Sequence, residues 1–208
     1  MVAPALLAAA HQFPGVRGDG RRAILITAVA IAVYGGLAAR MAPDPRLRYA
    51  LPGFLALAAA GLVLAVVDLD LHRLPDAITL PAYPVLAGLL ALASLLTGDW
   101  YALLRAAVAC LVALALYAAL AYAAPHGLGF GDVKLAGVLA MALGWQSWAA
   151  AVAGVAFGFA AGALASLTLL AVRRASWRTE LPFGPSMLAG AFLAALWGDE
   201  LAALYLAW

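Results

Sequence analysis

Charged residues are scarce in this chain of 208 residues. Aspartate, glutamate, lysine and arginine make up only 11% of it, whereas 67% of the residues are hydrophobic. A water-soluble domain of this size needs far more polar surface. The composition therefore excludes a soluble enzyme or binding module and indicates a protein that crosses a membrane several times.

Cysteine is nearly absent, and the three histidines follow no metal-binding pattern. The single Cys110 excludes an internal disulfide and a paired CxxC zinc module, and its place in an apolar run indicates a packing role. The histidines form no HExxH motif, and no serine lies in a GxSxG motif. The sequence therefore lacks the parts for metal-dependent or serine hydrolysis, and we predict neither a metal nor another cofactor.

Long polar segments are also missing. The longest ones surround residues 40–49 and 173–180, and neither is large enough to fold by itself. This pattern predicts a single membrane-embedded domain over residues 1–208, with a motif-bearing core at 51–206 and an N-terminal lead-in at 1–22. The first residues lack the basic start of a secretory signal, so we interpret them as interfacial or disordered.

Seven apolar stretches predict an all-α bundle of six or seven transmembrane helices. They are residues 23–39, 51–67, 77–96, 101–123, 133–145, 148–172 and 187–206. The fifth stretch is short for a bilayer whose core takes about 20 helical residues, so a tilted or re-entrant helix is an alternative there. Gly198-Asp199-Glu200 marks either a break in the last helix or its far end. Gly154, Gly158 and Gly162 are spaced for close helix packing.

Basic residues are distributed unevenly between the two ends of the predicted helices. A cytoplasmic N-terminus puts eight of them on the inner side and four on the outer side. The inner residues are Arg17, Arg21, Arg22, Arg73, Lys134, Arg173, Arg174 and Arg178, and the outer residues are Arg40, Arg46, Arg48 and Arg105. We therefore predict a multi-pass protein of the cytoplasmic (inner) membrane. Because the net charge is only +2 and no dense basic patch exists, we expect no nucleic-acid partner.

Two aspartates lie where an apolar chain is least expected to carry them. Asp68 ends the second apolar stretch, and Asp132 opens the fifth. A carboxylate costs about 2.5–3.5 kcal/mol at the centre of a membrane helix, so such acids mark functional sites. The predicted topology brings both to the cytoplasmic end, where two close carboxyl groups would share a proton. One of them would then activate a water molecule while the other polarises a peptide carbonyl.

The glycines around Asp132 permit sharp backbone geometry and the close approach of a substrate strand. They are Gly129 and Gly131 in a GxGD segment. The alternative is that Asp132 is only the N-cap of a helix that starts at Val133. The segment by itself leaves both interpretations open.

Three segments resemble motifs of the type IV prepilin peptidases, the A24 class of GxGD membrane aspartyl proteases. Residues 68–81 match the pattern D-x6-PD/PN-x-(L/I)-T-L-P, residues 127–135 contain GxGDxKL, and residues 181–185 contain PFGP. The motifs occur in the family's order. The resemblance implies a membrane-edge aspartyl endopeptidase whose catalytic pair is Asp68 and Asp132.

The resemblance also suggests roles for residues near the pair. We interpret Asp70 as a solvated interfacial acid, and Pro75 and Asp76 as the turn and cap that start the next helix. Lys134 either biases the local charge and contacts lipid head groups or is only a topology determinant. The segment at residues 182–185 shapes the site or receives the substrate strand. The alternative is that it is only a turn. It comprises Pro182, Phe183, Gly184 and Pro185.

The implied partners are the lipid bilayer and prepilins or pseudopilins of type IV pilus or secretion systems, with a short basic leader before a hydrophobic helix. Bifunctional members carry an additional domain with paired CxxC motifs, so the resemblance implies a peptidase-only form. A proton-coupled transporter that uses the same acids as a relay is the competing hypothesis. It predicts acids near the midplane and inverted repeats, and we find no convincing repeat. A presenilin-like protease would carry a PAL segment where this chain has PFGP.

Overall fold

The computed structural model describes residue 12 and residues 20–123, 128–171 and 182–206. Within these residues it contains seven α-helices and no strand. They are α1 (Gly20–Met41), α2 (Leu47–Leu71), α3 (Asp76–Thr97), α4 (Trp100–Ala123), α5 (Phe130–Gln146), α6 (Trp148–Ala171) and α7 (Gly184–Leu206). The predicted all-α bundle is confirmed, with one helix for each apolar stretch.

Five of these helices are long and apolar enough to cross a membrane: α1, α2, α3, α4 and α6. They make the chain a multi-pass membrane protein. With 17 residues, α5 is about 25 Å long, which is less than the roughly 30 Å of a bilayer core. Since α7 is also not among the five, the sixth and seventh spans remain predictions.

Three helix ends differ from the sequence-based boundaries near the predicted site. The second helix continues beyond residue 67 to Leu71, and His72 ends it in the left-handed conformation with a φ of 51°. The fifth helix starts at Phe130 rather than 133, and the seventh starts at Gly184 rather than 187. Asp68 and Asp132 therefore lie inside terminal helical turns, where the helix backbone fixes their positions.

The short helix α5 is the centre of the bundle. Twelve of its 17 residues are buried, and it contacts α2, α3, α4, α6 and α7. Because α5 carries Asp132 at its start, the packing of the rest of the helix sets where that acid lies.

Two arginines bind the carbonyl groups at the other end of α5. Arg105 donates from Nε to the Gly144 carbonyl at 2.5 Å, and both Arg105 and Arg46 donate to the carbonyls of Trp145 and Gln146 at 2.5–3.0 Å. We call Arg46 and Arg105 the arginine clamp. The last carbonyls of a helix have no partners within it, and a short buried helix cannot reach solvent with them. The clamp supplies those partners.

The last helix is continuous through its Gly198-Asp199-Glu200 segment. Asp199 accepts hydrogen bonds from Gln146 Nε2 at 3.0 Å and from the Ser147 hydroxyl. Glu200 forms an ion pair with Arg40 at 3.0 Å. The two acids are therefore tied to the clamp end of the bundle, and the alternative of a helix break is wrong.

The predicted glycine ridge of α6 packs as the spacing suggests. A methyl group on Gly154 would come within 2.3 Å of Leu143 on α5, and one on Gly162 would come within 2.7 Å of Phe183. The closest backbone approach joins α6 to α7, where a methyl group on Gly190 would lie 2.2 Å from the Gly158 nitrogen. These small residues let the two helices touch along their backbones.

Candidate active site

Asp68 lies in the last turn of α2 and is almost entirely enclosed, with 4% of its surface exposed. Its Oδ2 accepts a hydrogen bond of 3.0 Å from the Gly184 amide, at the start of α7. A methyl group on Gly184 would lie 2.7 Å from the same oxygen. Glycine at this position therefore lets the backbone of the PFGP segment reach the carboxylate, and the positive end of α7 points at it.

Asp132 is the third residue of α5. Its Oδ2 accepts a hydrogen bond of 3.0 Å from the Gly129 amide, and its own amide donates to the Gly129 carbonyl at 3.0 Å. Gly129 is the N-cap, so the alternative of an N-cap at Asp132 is wrong. Asp132 nevertheless satisfies one free amide of the helix start, which orients its carboxyl group.

Leu74, in the connection between α2 and α3, joins the surroundings of the two acids. A methyl group on Gly131 would lie 3.0 Å from Leu74 Cβ, and one on Gly184 would lie 3.3 Å from Leu74 Cδ2. The end of α2 and the starts of α5 and α7 thus meet around one buried leucine. Burial, and then the negative charge of Asp68, raise the pKa of Asp132 to about 6. Two carboxyl groups whose charges interact in this way titrate as a coupled pair.

An aromatic row supports the PFGP segment. The ring of Phe183 lies 5.3 Å from that of Phe159, which stacks on Tyr117 at 5.6 Å. Sequence reasoning missed Phe159 and Tyr117. Aromatic residues in apolar helices carry no signal of which neighbour they face. The row connects α4 and α6 to the segment that delivers Gly184 to Asp68.

Pro182 and Pro185 flank the contact between Gly184 and Asp68. Pro182 precedes α7, and Pro185 lies in its first turn, where a missing amide hydrogen costs no helical bond. The structure does not describe residues 124–127 and 172–181, which include His126, the first glycine of the 127–135 motif and Leu181. Among the residues it describes, no group of three or more histidine, cysteine or acidic side chains is arranged to hold a metal ion.

The predicted cap at Asp76 is wrong. Pro75 is the N-cap of α3, with no side-chain cap bond, and its carbonyl accepts from the amides of Ile78 and Thr79. The carboxylate of Asp76 instead binds Lys134 Nζ at 2.7 and 2.8 Å. Asp76 is the first residue of the helix rather than its N-cap, and its carboxylate is taken up by the lysine. The ion pair joins the start of α3 to the start of α5.

The interpretation of Asp70 as a solvated acid is also wrong. Arg22 of α1 binds both of its oxygens at 2.8–2.9 Å, and only 10% of the aspartate side chain is exposed. The sequence alone does not show that two residues 48 positions apart are in contact. The contact ties the start of α1 to the end of α2, two residues beyond Asp68.

We expect the Asp76–Lys134 pair to contribute little to stability. Its side chains are 55% and 34% exposed, and exposed pairs contribute about 0.2–1 kcal/mol. A double-mutant cycle with Asp76→Asn and Lys134→Gln, measured as the apparent free energy of unfolding in detergent, should give a coupling in that range. The more enclosed Arg22–Asp70 pair is the matched comparison and should couple more strongly. A larger coupling at Asp76 would contradict this ranking.

Comparison with known proteins adds independent evidence. Residues 55–198 match the family model described as the type IV leader peptidase family. A Bacillus subtilis prepilin leader peptidase/N-methyltransferase is 34% identical over 145 residues, which cover 70% of this chain and 55% of that protein. Proteins of the same name from Pseudomonas putida and Aeromonas hydrophila are 35% and 32% identical, over 67% and 74% of this chain and 48% and 54% of their own lengths. Comparison with solved structures gave no match.

The chain spans about half the length of these curated relatives. The matched segment begins in α2 and ends in α7, so it includes both acids, the GxGD segment and the PFGP segment. It covers well over half of the chain, and the resemblance drawn from the three motifs is confirmed. The chain belongs to the type IV leader peptidase family.

Proposed function

We propose that this chain is an aspartyl endopeptidase whose catalytic residues are Asp68 and Asp132. The observation that supports this most directly is that the surroundings of the two acids meet around Leu74, where the start of α7 holds Asp68 and where burial, together with the charge of Asp68, raises the pKa of Asp132. Both acids come from motifs far apart in the chain. Membership of a leader peptidase family indicates the class of reaction, which is peptide-bond hydrolysis. The acid pair supplies groups that can carry out this hydrolysis.

In the proposed reaction the pair carries one proton. The ionised carboxylate takes a proton from a water molecule as its oxygen attacks the peptide carbonyl, and the protonated carboxyl group donates its proton to the carbonyl oxygen. Collapse of the gem-diol intermediate then breaks the C–N bond: one of its hydroxyl groups returns a proton to the ionised carboxylate while the other carboxyl group gives its proton to the leaving amine, so the pair again carries one proton. The amides of Gly184 and Gly129 keep the two carboxyl groups oriented throughout.

The proposed substrates are prepilin-like proteins, because the curated relatives are named prepilin leader peptidases. Cleavage would remove a short basic leader and leave the hydrophobic helix that follows it in the bilayer. The proposed reaction is peptide cleavage.

We further propose that cleavage occurs at the cytoplasmic face. Asp68 and Asp132 lie at the same end of the bundle as Arg22, Arg73 and Lys134, whereas the arginine clamp lies at the opposite end. The predicted topology assigns eight basic residues to the side of the acids and four to the other side. Positively charged residues are more frequent in cytoplasmic connections, which supports this orientation.

This orientation predicts the labelling of introduced cysteines by a membrane-impermeant maleimide. In a Cys110→Ala background, Ala42→Cys at the clamp end should react in intact spheroplasts, whereas Arg73→Cys near the acids should react only after lysis. Both positions are exposed, so a lack of labelling is not due to burial. The reverse pattern would contradict a cytoplasmic site.

The activity itself is tested by co-expression with a candidate prepilin from the same genome. Cleavage should increase the substrate's electrophoretic mobility by the size of the leader, and mass spectrometry should find one new N-terminus before the hydrophobic segment. A set of prepilins that all stay intact beside folded, membrane-inserted enzyme would reject the proposed function.

A further inference from the structure

A cavity of about 370 Å³ lies between α1, α2, α5 and α7. All the residues that line it are apolar, and it is within the usual size range for ligand sites of about 300–1,000 Å³. We call it the apolar groove. Its volume accommodates several side chains of one helix face, rather than a whole helix.

One end of the apolar groove lies near Asp68. Ala65 lines it three residues before Asp68, and Pro185 lines it directly after Gly184, whose amide binds Asp68. From there it extends to Leu37 and Ala195, so it follows α7 for roughly 15 Å at 1.5 Å per residue. A molecule in the groove therefore has one end near Asp68 and the other toward the clamp end of the bundle.

Three of the six residues that α2 contributes to the wall are small. Ala58, Gly61 and Ala65 line the groove at intervals of three and four residues, and Ala189 faces it from α7. Small side chains allow a helix backbone to approach closely. A helix also satisfies its own backbone hydrogen bonds, so it can enter an apolar groove at no polar cost.

We propose that the apolar groove binds the apolar segment that follows the scissile bond in a membrane-inserted substrate. This inference rests on the proposed function. An occupant continuous with the site has to present a peptide bond to Asp68 and Asp132 and place apolar side chains in the bundle. A polypeptide whose cleavage point borders an apolar helix does both, whereas a lipid acyl chain presents no peptide bond.

Helix α1 would then select substrates, because it forms the outer wall of the groove through Val29, Ala32, Val33 and Leu37. It lies before the segment that matches the family model. The Arg22–Asp70 ion pair holds its start beside the active site.

A substitution that fills the groove distinguishes binding of the apolar substrate segment from the chemical step at the two acids. We expect Ala58→Trp to lower kcat/KM for a membrane-inserted prepilin at least tenfold, and to change cleavage of a short soluble peptide spanning the same bond less than twofold. The matched control is Val112→Trp on α4, where the side chain is 58% exposed and apolar. The Val112→Trp variant should cleave both substrates at the wild-type rate. Cleavage of the short peptide also shows that Ala58→Trp is folded.

A photoreactive amino acid at Leu62, in the groove, provides a second measurement that needs no large substitution. In an Asp132→Asn background it should form an adduct with the apolar segment of the prepilin, whereas the same probe at Leu111, 67% exposed on α4, should not. Adducts with lipid alone, or full cleavage of the prepilin by Ala58→Trp, would overturn the groove assignment and leave the proposed function intact. A wild-type enzyme that cleaves neither substrate would overturn both.

Discussion

Asp68→Asn and Asp132→Asn should each reduce leader cleavage at least about a thousandfold, because proton transfer by positioned groups contributes about 10²–10⁴ to a rate and each variant removes one of two required proton carriers. Both variants should still fold. The asparagine oxygen can accept the same amide hydrogen bond, from Gly184 in one case and from Gly129 in the other. The measurement is the cleavage rate per amount of folded, membrane-inserted protein.

The control for this experiment is Asp44→Asn. Asp44 accepts hydrogen bonds from the amides of Arg46 and Leu47 at 2.8 Å, at the start of α2, which is the opposite end of the helix from Asp68. It makes the same kind of bond as the two catalytic candidates but lies far from them, so its variant should retain activity. Cleavage at the wild-type rate by Asp68→Asn or Asp132→Asn would show that the replaced aspartate is not required for the reaction.

Gly190→Ala should destabilise the bundle and lower the yield of folded protein. A methyl group there would lie 2.2 Å from the Gly158 nitrogen, 2.5 Å from the Gly158 Cα and 2.7 Å from the Phe157 carbonyl carbon. These are backbone atoms, so no side-chain rotation relieves the contact and α6 and α7 have to separate. Overpacking costs about 1–3 kcal/mol and occasionally more, and we expect the upper part of that range. The measurement is the amount of monodisperse protein extracted from the membrane.

Gly88→Ala in α3 is the matched control. It is the same substitution inside a helix, but nothing lies within 4 Å of the added methyl group. Alanine favours the helix over glycine by about 1 kcal/mol in water, so this variant should accumulate at least as well as the wild type. If both variants behave alike, the close approach of α6 and α7 does not limit folding.

Composition and hydropathy were sufficient to predict the helices, because a lipid-facing chain can satisfy its backbone only as helices or as a closed barrel. The motifs identified the family and selected Asp68 and Asp132 from ten acidic residues. The ends of helices were less predictable. A hydropathy window does not detect that α5 gains its first turn from Phe130, Gly131 and Asp132, and this turn moves the acid into the helix.

The partners of the charged side chains could not be predicted from the sequence, for a different reason. Asp70 looked solvated and Asp76 looked like a cap because each was judged by its nearest neighbours in the chain. Their actual partners are Arg22, 48 residues away, and Lys134, 58 residues away. Such pairs depend on how helices are placed around one another, and without covariation a single sequence contains no measure of that placement.

The arginine clamp has a consequence for how the protein is made. During insertion, α5 cannot be released into lipid as an independent helix, because the carbonyls of Gly144, Trp145 and Gln146 would face hydrocarbon without donors at a cost of several kcal/mol each. Arg105 is on α4, the helix that directly precedes α5, and Arg46 is at the start of α2. Biogenesis should therefore deliver α4 and α5 as one hairpin that docks onto an already inserted α2, so that the helix bearing Asp132 matures only after its neighbours are in place.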